Sequence, residues 1–130
     1  MKVTGALLMS LALSACSRGE RGPDVSGVIV PEGVLESDEA RSRGRAIFSG
    51  KCALCHGERA DGNGVRSKAL SRKPADFTSP DWRGRVSPEY VFRIVSDGKR
   101  GTSMPGRPTL TEAERWDVVA YVLRVSEDGS

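Results

Sequence analysis

Two cysteines and one histidine lie within five residues, in the run Cys-Ala-Leu-Cys-His at positions 52–56. On one helical turn, side chains three residues apart share a face, so Cys52 and Cys55 can bond to two neighbouring groups of one ligand. His56 follows directly and can direct an imidazole nitrogen to a metal beside them. In an exported protein this spacing indicates a c-type haem, attached covalently through two thioether bonds.

Two other chemistries use closely spaced cysteines. A thioredoxin-like dithiol belongs near a βαβ pattern, and this sequence does not alternate strands and helices. A zinc knuckle needs a fourth nitrogen or thiolate ligand nearby, and His56 is the only histidine in the chain. One covalent haem c is therefore the favoured prediction.

A closed, six-coordinate haem needs a second axial ligand besides His56. Met1 and Met9 fall within a leader that is predicted to be removed, which leaves Met104 as the only methionine. Met104 lies in a loop rich in Gly and Pro, without the helical periodicity of a core residue. Thioether sulfur favours reduced iron, so ligation by His56 and Met104 would raise the reduction potential.

The first fifteen residues have the layout of a secretory signal: Lys2, an apolar run over residues 3–13, then small residues. The apolar run has about half of the ~20 residues that a membrane-spanning helix needs. Residues 13–16, Leu-Ser-Ala-Cys, resemble the lipobox of bacterial lipoproteins, in which the cysteine is diacylated after cleavage. We therefore predict that residues 1–15 are removed and that Cys16 is lipidated. The alternative is ordinary cleavage after Ser14, which would leave Cys16 as a free thiol.

The length of 130 residues fits one small domain with flanks. Residues 16–36 are predicted to be the lipidated cysteine and a flexible linker, whose apolar patch at 28–30 can pack on the domain. Residues 37–130 are predicted to form the folded domain. A formal net charge of +3 does not favour nucleic-acid binding.

Three longer helices must position these ligands. Before the haem motif, a stripe of apolar or small residues at helical spacing predicts the first helix; it consists of Ala40, Gly44, Ile47, Phe48 and Cys52. Ser87 as N-cap with Pro88 at the first position predicts a second helix that ends at Gly98. Thr111 and Glu114 form a capping-box pattern that opens the last helix.

From about Ser37 to Val125 the chain resembles a monohaem class I cytochrome c. The resemblance implies a small all-α fold in which the N- and C-terminal helices cross beside the covalently attached haem. In this family a glycine and an aromatic residue precede the first haem cysteine at intervals of four, as Gly44 and Phe48 do. The resemblance implies Val118 and Tyr121 as their partners on the last helix.

The resemblance also implies a proline carbonyl that accepts a hydrogen bond from the haem-ligating imidazole. Pro74 is the candidate, with Pro80 as a competitor. Phe77 and Trp82 are expected either to cover a haem edge or to form a minor core.

The resemblance implies electron transfer, with iron cycling between Fe(III) and Fe(II), rather than enzyme activity of the chain itself. The chain would be a carrier on a lipid tether, facing the periplasm or the outer surface of a bacterial cell, or a small redox subunit of a respiratory or dehydrogenase chain. One alternative is a haem-based enzyme or gas sensor in which Met104 dissociates and opens the iron; another is a thiol–disulfide exchanger.

Charge near the haem rim suggests how redox partners dock. Basic residues outnumber acidic ones from residue 51 to 73 and around Met104, and an acidic partner protein could be steered to them. These basic residues are Lys51, Arg59, Arg66, Lys68, Arg72, Lys73, Lys99, Arg100 and Arg107.

Overall fold

The computed structural model describes residues 22–128, so the predicted signal peptide and Cys16 lie outside the described residues. The described chain contains five α-helices and one 3-10 turn at Ser67–Ala69. The helices are α1 (Asp38–Lys51), α2 (Ala53–His56), α3 (Pro80–Arg83), α4 (Pro88–Asp97) and α5 (Glu112–Asp128). Between residues 22 and 128 there is no β-strand, only an isolated bridge between Gly98 and Pro105. The all-α prediction is confirmed. No helix within this range is long and apolar enough to cross a bilayer.

Helices α1 and α5 cross at Gly44. An added Cβ at Gly44 would overlap the carbonyl group of Asp117, so the two backbones meet at a distance that only glycine allows. One turn further along, the rings of Phe48 and Tyr121 pack with centroids 5.2 Å apart. The prediction that Tyr121 packs at this crossing is confirmed. The nearest neighbour of Gly44 is the Asp117 backbone, however, whereas buried Val118 lines the cleft described below.

An ion pair fixes the same crossing from the side. Nε and Nη2 of Arg43 donate to the two carboxylate oxygens of Asp117, each at 2.8 Å. The Asp117 side chain is only 6% exposed, while that of Arg43 is 61% exposed. A bidentate pair of this kind sets the rotation of α1 against α5 as well as their separation.

Helix α4 packs against α5 through aromatic rings. Phe92 and Trp116 are stacked, with centroids 4.4 Å apart and planes 20° from parallel. Both side chains are buried, and Val95 and Val119 belong to the same core cluster. The aromatic contact holds α4 against α5, and other residues of α4 line the cleft described below.

The predicted start and end of α4 and the predicted start of α5 are confirmed. Ser87 Oγ accepts from the backbone N–H of Tyr90 at 3.2 Å, and Gly98 follows α4 with φ of +80°. At the start of α5, Thr111 N–H donates to Glu114 at 2.7 Å, and Glu114 N–H donates back to Thr111 Oγ1 at 3.2 Å. Both helices therefore begin where local side-chain chemistry places them.

Residues 22–36, which belong to the predicted linker, lie on the domain. Val28, Val30, Val34 and Leu35 pack against the core cluster, whereas Ile29 points outward and is 81% exposed. The packing of the apolar patch at 28–30 thus involves its first and third residues. The described part of the linker segment is docked.

Candidate haem site

The predicted ligands line one cleft. It is bounded by α1, α2, α4, α5 and the loops around residues 70–77 and 99–107, and it encloses about 1150 Å³ including its solvent-filled mouth. The cleft brings together the residues predicted from the sequence: Cys52, Cys55, His56, Pro74 and Met104. Its remaining walls are mainly apolar and aromatic: Phe48, Leu70, Phe77, Trp82, Tyr90, Val91, Ile94, Val95, Val118 and Val122. A wide apolar cleft with ligating groups at its edge suits a large, flat, metal-bearing macrocycle.

The haem motif forms a single helical turn. The backbone N–H groups of Cys55 and His56 donate to the carbonyl of Cys52 at 3.1 and 3.0 Å. Cys52 ends α1 and precedes α2, and its φ of −120° turns the chain between them. Both thiols are half-buried on the cleft wall, on one stretch of chain, as two thioether bonds to one ligand require.

Burial raises the pKa of the Cys52 thiol above its ordinary value, although Arg107 and Lys51 act in the opposite direction. Thiol–disulfide exchangers instead lower the pKa of the attacking thiol, because the thiolate is the nucleophile. The surroundings of Cys52 therefore argue against the exchange function.

His56 is held as a neutral imidazole by its surroundings. Its side chain is buried, and Nδ1 lies 3.1 Å from the carbonyl oxygen of Ala75. Because a carbonyl only accepts, Nδ1 must carry the proton, which leaves Nε2 with a free lone pair for a metal. Burial lowers the pKa of His56, Arg107 lowers it further, and the Ala75 carbonyl opposes both effects. Neutral imidazole is the form that binds iron.

The acceptor for His56 corrects the prediction of Pro74 by one residue. Pro74 lines the cleft, but its carbonyl lies close to Gly62, where an added Cβ would be 2.8 Å from the oxygen. The peptide that follows it presents Ala75 O to the imidazole instead. Its competitor Pro80 is the first residue of α3. A backbone carbonyl of this loop thus accepts the hydrogen bond from His56 as expected, but it belongs to Ala75, the residue after Pro74.

Phe77 and Trp82 both line the cleft and also pack against the core cluster, so both of the surroundings expected for them are present. Phe77 is stacked on His56 with a centroid distance of 4.6 Å, and it packs edge-on against Trp82 at 4.7 Å. Trp82 belongs to α3, a helix that the sequence analysis did not predict. Its signal was present, since Ser79 followed by Pro80 repeats the pattern that predicted α4.

The loop carrying Met104 is fixed to the end of α4. Lys99 N–H donates to the Met104 carbonyl at 3.0 Å, and Met104 N–H donates to Thr102 Oγ1 at 3.1 Å. Gly98 adopts φ of +80°, and an added Cβ there would lie 2.7 Å from Met104 O. These backbone contacts keep the half-buried Met104 side chain on the cleft wall.

Four of the predicted basic residues line the cleft: Arg72, Lys73, Lys99 and Arg107. Arg107 also ties the Met104 loop to the haem motif, because its Nη2 donates to the carbonyl of Lys51 at 2.6 Å. Arg59 instead pairs with Asp61 at 3.3 Å. The basic rim is therefore concentrated on the side of the loops that close the cleft.

Fold and cleft together define a class I monohaem c-type cytochrome. The family model described as cytochrome c oxidase, cbb3-type, subunit III matches residues 39–122, and the chain belongs to this family. The predicted cofactor, covalently bound haem c, is confirmed by this membership, since Cys52, Cys55 and His56 supply the attachment motif. Family members are typically exported to the periplasm and transfer electrons.

The chain is similar to cytochrome c6 of Synechocystis sp., with 29% identity over 89 residues, or 68% of each chain. A solved structure, the reducing HAO-like protein complex Kustc0457/Kustc0458 of Kuenenia stuttgartiensis, is also similar, with a TM-score of 0.64 and 29% identity. That match covers 82% of this chain and 50% of the chain in the complex, so this chain spans half of that neighbour's length. A similar fold thus occurs in a chain of that reducing complex.

Proposed function

We propose that this chain is a lipid-tethered electron carrier or small redox subunit, in which His56 and Met104 would be the two protein ligands of the haem iron. The observation that carries this proposal is the single cleft that both ligands and both cysteines line. The haem supplies a metal that changes by one electron between Fe(III) and Fe(II). The chain's own residues hold the ligands, exclude water and present the rim to a partner.

The support for Met104 is the way its loop is built. Hydrogen bonds from Lys99 and to Thr102 hold both polar groups of the Met104 backbone. A loop with these constraints keeps a ligand in place through a change of oxidation state. Such a fixed loop favours electron transfer over a sensor or enzyme, in which Met104 would have to leave the iron.

Binding of carbon monoxide tests the ligand pair and separates the two functions. Carbon monoxide needs an open position on ferrous iron, so we expect the reduced protein to keep its absorption spectrum under the gas. The Met104→Ala variant should shift its spectrum immediately, and the neighbouring Ser103→Ala variant should behave like the wild type. Rapid binding of carbon monoxide to the wild-type protein would support the sensor or enzyme instead.

We also propose that Cys16 carries the lipid that tethers the domain. The support is the order of the leader, in which an apolar run and small residues precede Cys16. Two or more acyl chains on one residue provide stable membrane anchoring, whereas a single acyl chain does not. Mass spectrometry of the mature N-terminus, with Cys16→Ser as the control, should show acylated Cys16 in the wild type. An unmodified N-terminus would contradict the lipid tether.

An acidic surface on the redox partner fits the basic rim. Lys73, Lys99 and Arg107 line the cleft that would hold the haem. Complementary charge raises the rate of encounter more than the affinity, and salt screens it. The partner proposed here is therefore a redox protein whose docking surface is negative.

A further inference from the structure

The chain enters the domain beside the cleft. Gly22, the first described residue, lies next to the ring of Tyr90, where an added Cβ would be 3.6 Å from Cε2. Tyr90 belongs to α4 and lines the cleft. Whatever precedes Gly22 is therefore attached close to the haem site.

Residues 22–35, here called the strap, are fixed to the domain over their length. Val28 and Val30 pack against the core cluster, as do Val34 and Leu35 nearer to α1. Between Gly22 and Val28, Nη2 of Arg93 donates to the carbonyl of Ser26 at 3.2 Å. Because the strap is docked on the domain, it cannot act as a free tether. Only the residues before the strap can separate the domain from an anchor.

The number of those residues sets how far the cleft can lie from a lipid on Cys16. Five residues lie between Cys16 and Gly22, and the six residue-to-residue steps that join them span at most about 22 Å when fully extended. If the whole segment up to Ser37 were free, the same limit would be about 75 Å. The strap therefore shortens the reach of the tether more than threefold and fixes its point of attachment beside Tyr90.

We propose that the strap keeps the haem cleft at the surface of the membrane, so that the redox partner is a protein of that same membrane. A partner embedded in or bound to the bilayer meets the cleft within this short reach, whereas one that diffuses in the periplasm gains nothing from it. The proposal rests on lipidation of Cys16, as inferred above. What the proposal adds to that inference is a short distance between the cleft and the membrane.

Energy transfer to the haem measures that distance, because the haem quenches nearby fluorophores. The holoprotein with its native N-terminus is reconstituted into neutral phosphatidylcholine vesicles that carry a trace of headgroup-labelled fluorescent lipid. We expect strong quenching with the wild-type protein. A Gly/Ser spacer of 20 residues inserted between Arg21 and Gly22 should reduce quenching at least twofold, while the same spacer appended after Ser130 should leave it unchanged.

A second pair of variants tests the strap without altering the length of the chain. Val28 packs on the core and Ile29 points to solvent, so Val28→Asp should release the start of the strap and Ile29→Asp should not. We expect lower quenching for Val28→Asp at equal amounts of bound protein, and wild-type quenching for Ile29→Asp. Circular dichroism of both variants shows whether the helices remain intact.

Flotation of the same vesicles distinguishes the two ways of failing. If neither the wild-type protein nor its Cys16→Ser variant floats with the vesicles, the lipid anchor is wrong. The strap proposal then fails with it. If the wild type floats but neither the spacer nor Val28→Asp changes the quenching, the anchor stands and the strap proposal is overturned.

Discussion

The ring of Phe77 is stacked on the imidazole of His56, with centroids 4.6 Å apart and planes 21° from parallel. Two residues earlier, the carbonyl of Ala75 lies 3.1 Å from His56 Nδ1. The backbone N–H of Phe77 itself donates to the Ala60 carbonyl at 2.8 Å. One short stretch of chain therefore sets the protonation, the orientation and the covering of the proximal ligand.

Replacing Phe77 by Leu should lower the reduction potential of the haem. Loss of the stacked ring admits water to the cleft, and water stabilises the more highly charged ferric form. We expect a decrease on the order of 40 mV, which corresponds to about 1 kcal/mol for one electron, measured by spectroelectrochemical titration. Phe92→Leu is the control, because Phe92 packs on Trp116 in the core cluster and does not line the cleft. The Phe92→Leu substitution should lower the free energy of unfolding by about 1–3 kcal/mol without changing the reduction potential. Equal shifts of the reduction potential in both variants would contradict the role assigned to Phe77.

Replacing Gly98 by Ala should weaken the bond between Met104 and the iron. Gly98 and Gly101 both have positive φ, so alanine costs about 1–2 kcal/mol of backbone strain at either position. Only at Gly98 would the new Cβ meet the Met104 carbonyl; nothing lies within 4 Å of one at Gly101. The long-wavelength absorption band that marks sulfur on ferric haem iron should therefore weaken in Gly98→Ala and persist in Gly101→Ala. A normal band in both variants would mean that the Gly98 contact does not position the ligand.

The crossing of α1 and α5 predicts opposite effects for one substitution at two glycines of the same helix. Gly44→Ala would force a Cβ into the backbone of Asp117 and should destabilise the fold by about 3 kcal/mol. Gly50→Ala meets nothing within 4 Å and should stabilise α1 by up to about 1 kcal/mol. Guanidinium unfolding of the two holoproteins measures both. Similar stabilities would show that the helices separate at Gly44 at little cost.

Salt dependence should reveal the effect of the positive charge that lines the cleft. Lys99 lines the cleft and Lys68, on the 3-10 turn, does not, so Lys99→Gln and Lys68→Gln remove the same charge at different places. With ferricyanide as an anionic oxidant, we expect Lys99→Gln to slow electron transfer about twofold or more at low ionic strength and Lys68→Gln to have less effect. Stopped-flow rates should converge at high salt. Equal rates for the two variants at every ionic strength would contradict docking of the partner at the basic residues that line the cleft.

Local signals in the sequence predicted the parts of the fold that depend on local chemistry. The caps at Ser87 and at Thr111 are formed within one turn, so their side chains alone identify where α4 and α5 begin. The haem motif is likewise complete within residues 52–56. The small helix α3 had the same kind of signal, and only its shortness concealed it.

The parts that the sequence did not predict depend on contacts between distant residues. Which carbonyl faces His56 is decided by the turns between His56 and Ala75, which are folded by backbone contacts such as Gly62 N–H to His56 O at 2.7 Å. The sequence predicted packing of the apolar patch at 28–30, but the docking of the other residues from 22 to 36 depends on distant contacts such as the hydrogen bond from Arg93 to the Ser26 carbonyl. Tyr90 and Ile94 line the cleft, yet along the sequence they look like any apolar face of a helix.

The visible absorption spectrum of the oxidised mature protein, produced with a working cytochrome maturation system, tests the central claim most directly. The account predicts the spectrum of a low-spin haem that stays on the polypeptide after denaturation, together with the long-wavelength sulfur band that disappears in Met104→Ala and remains in Ser103→Ala. A colourless protein, or a haem that denaturation releases, would contradict attachment through Cys52 and Cys55. A coloured protein whose spectrum is the same with and without Met104 would contradict the proposed ligand pair.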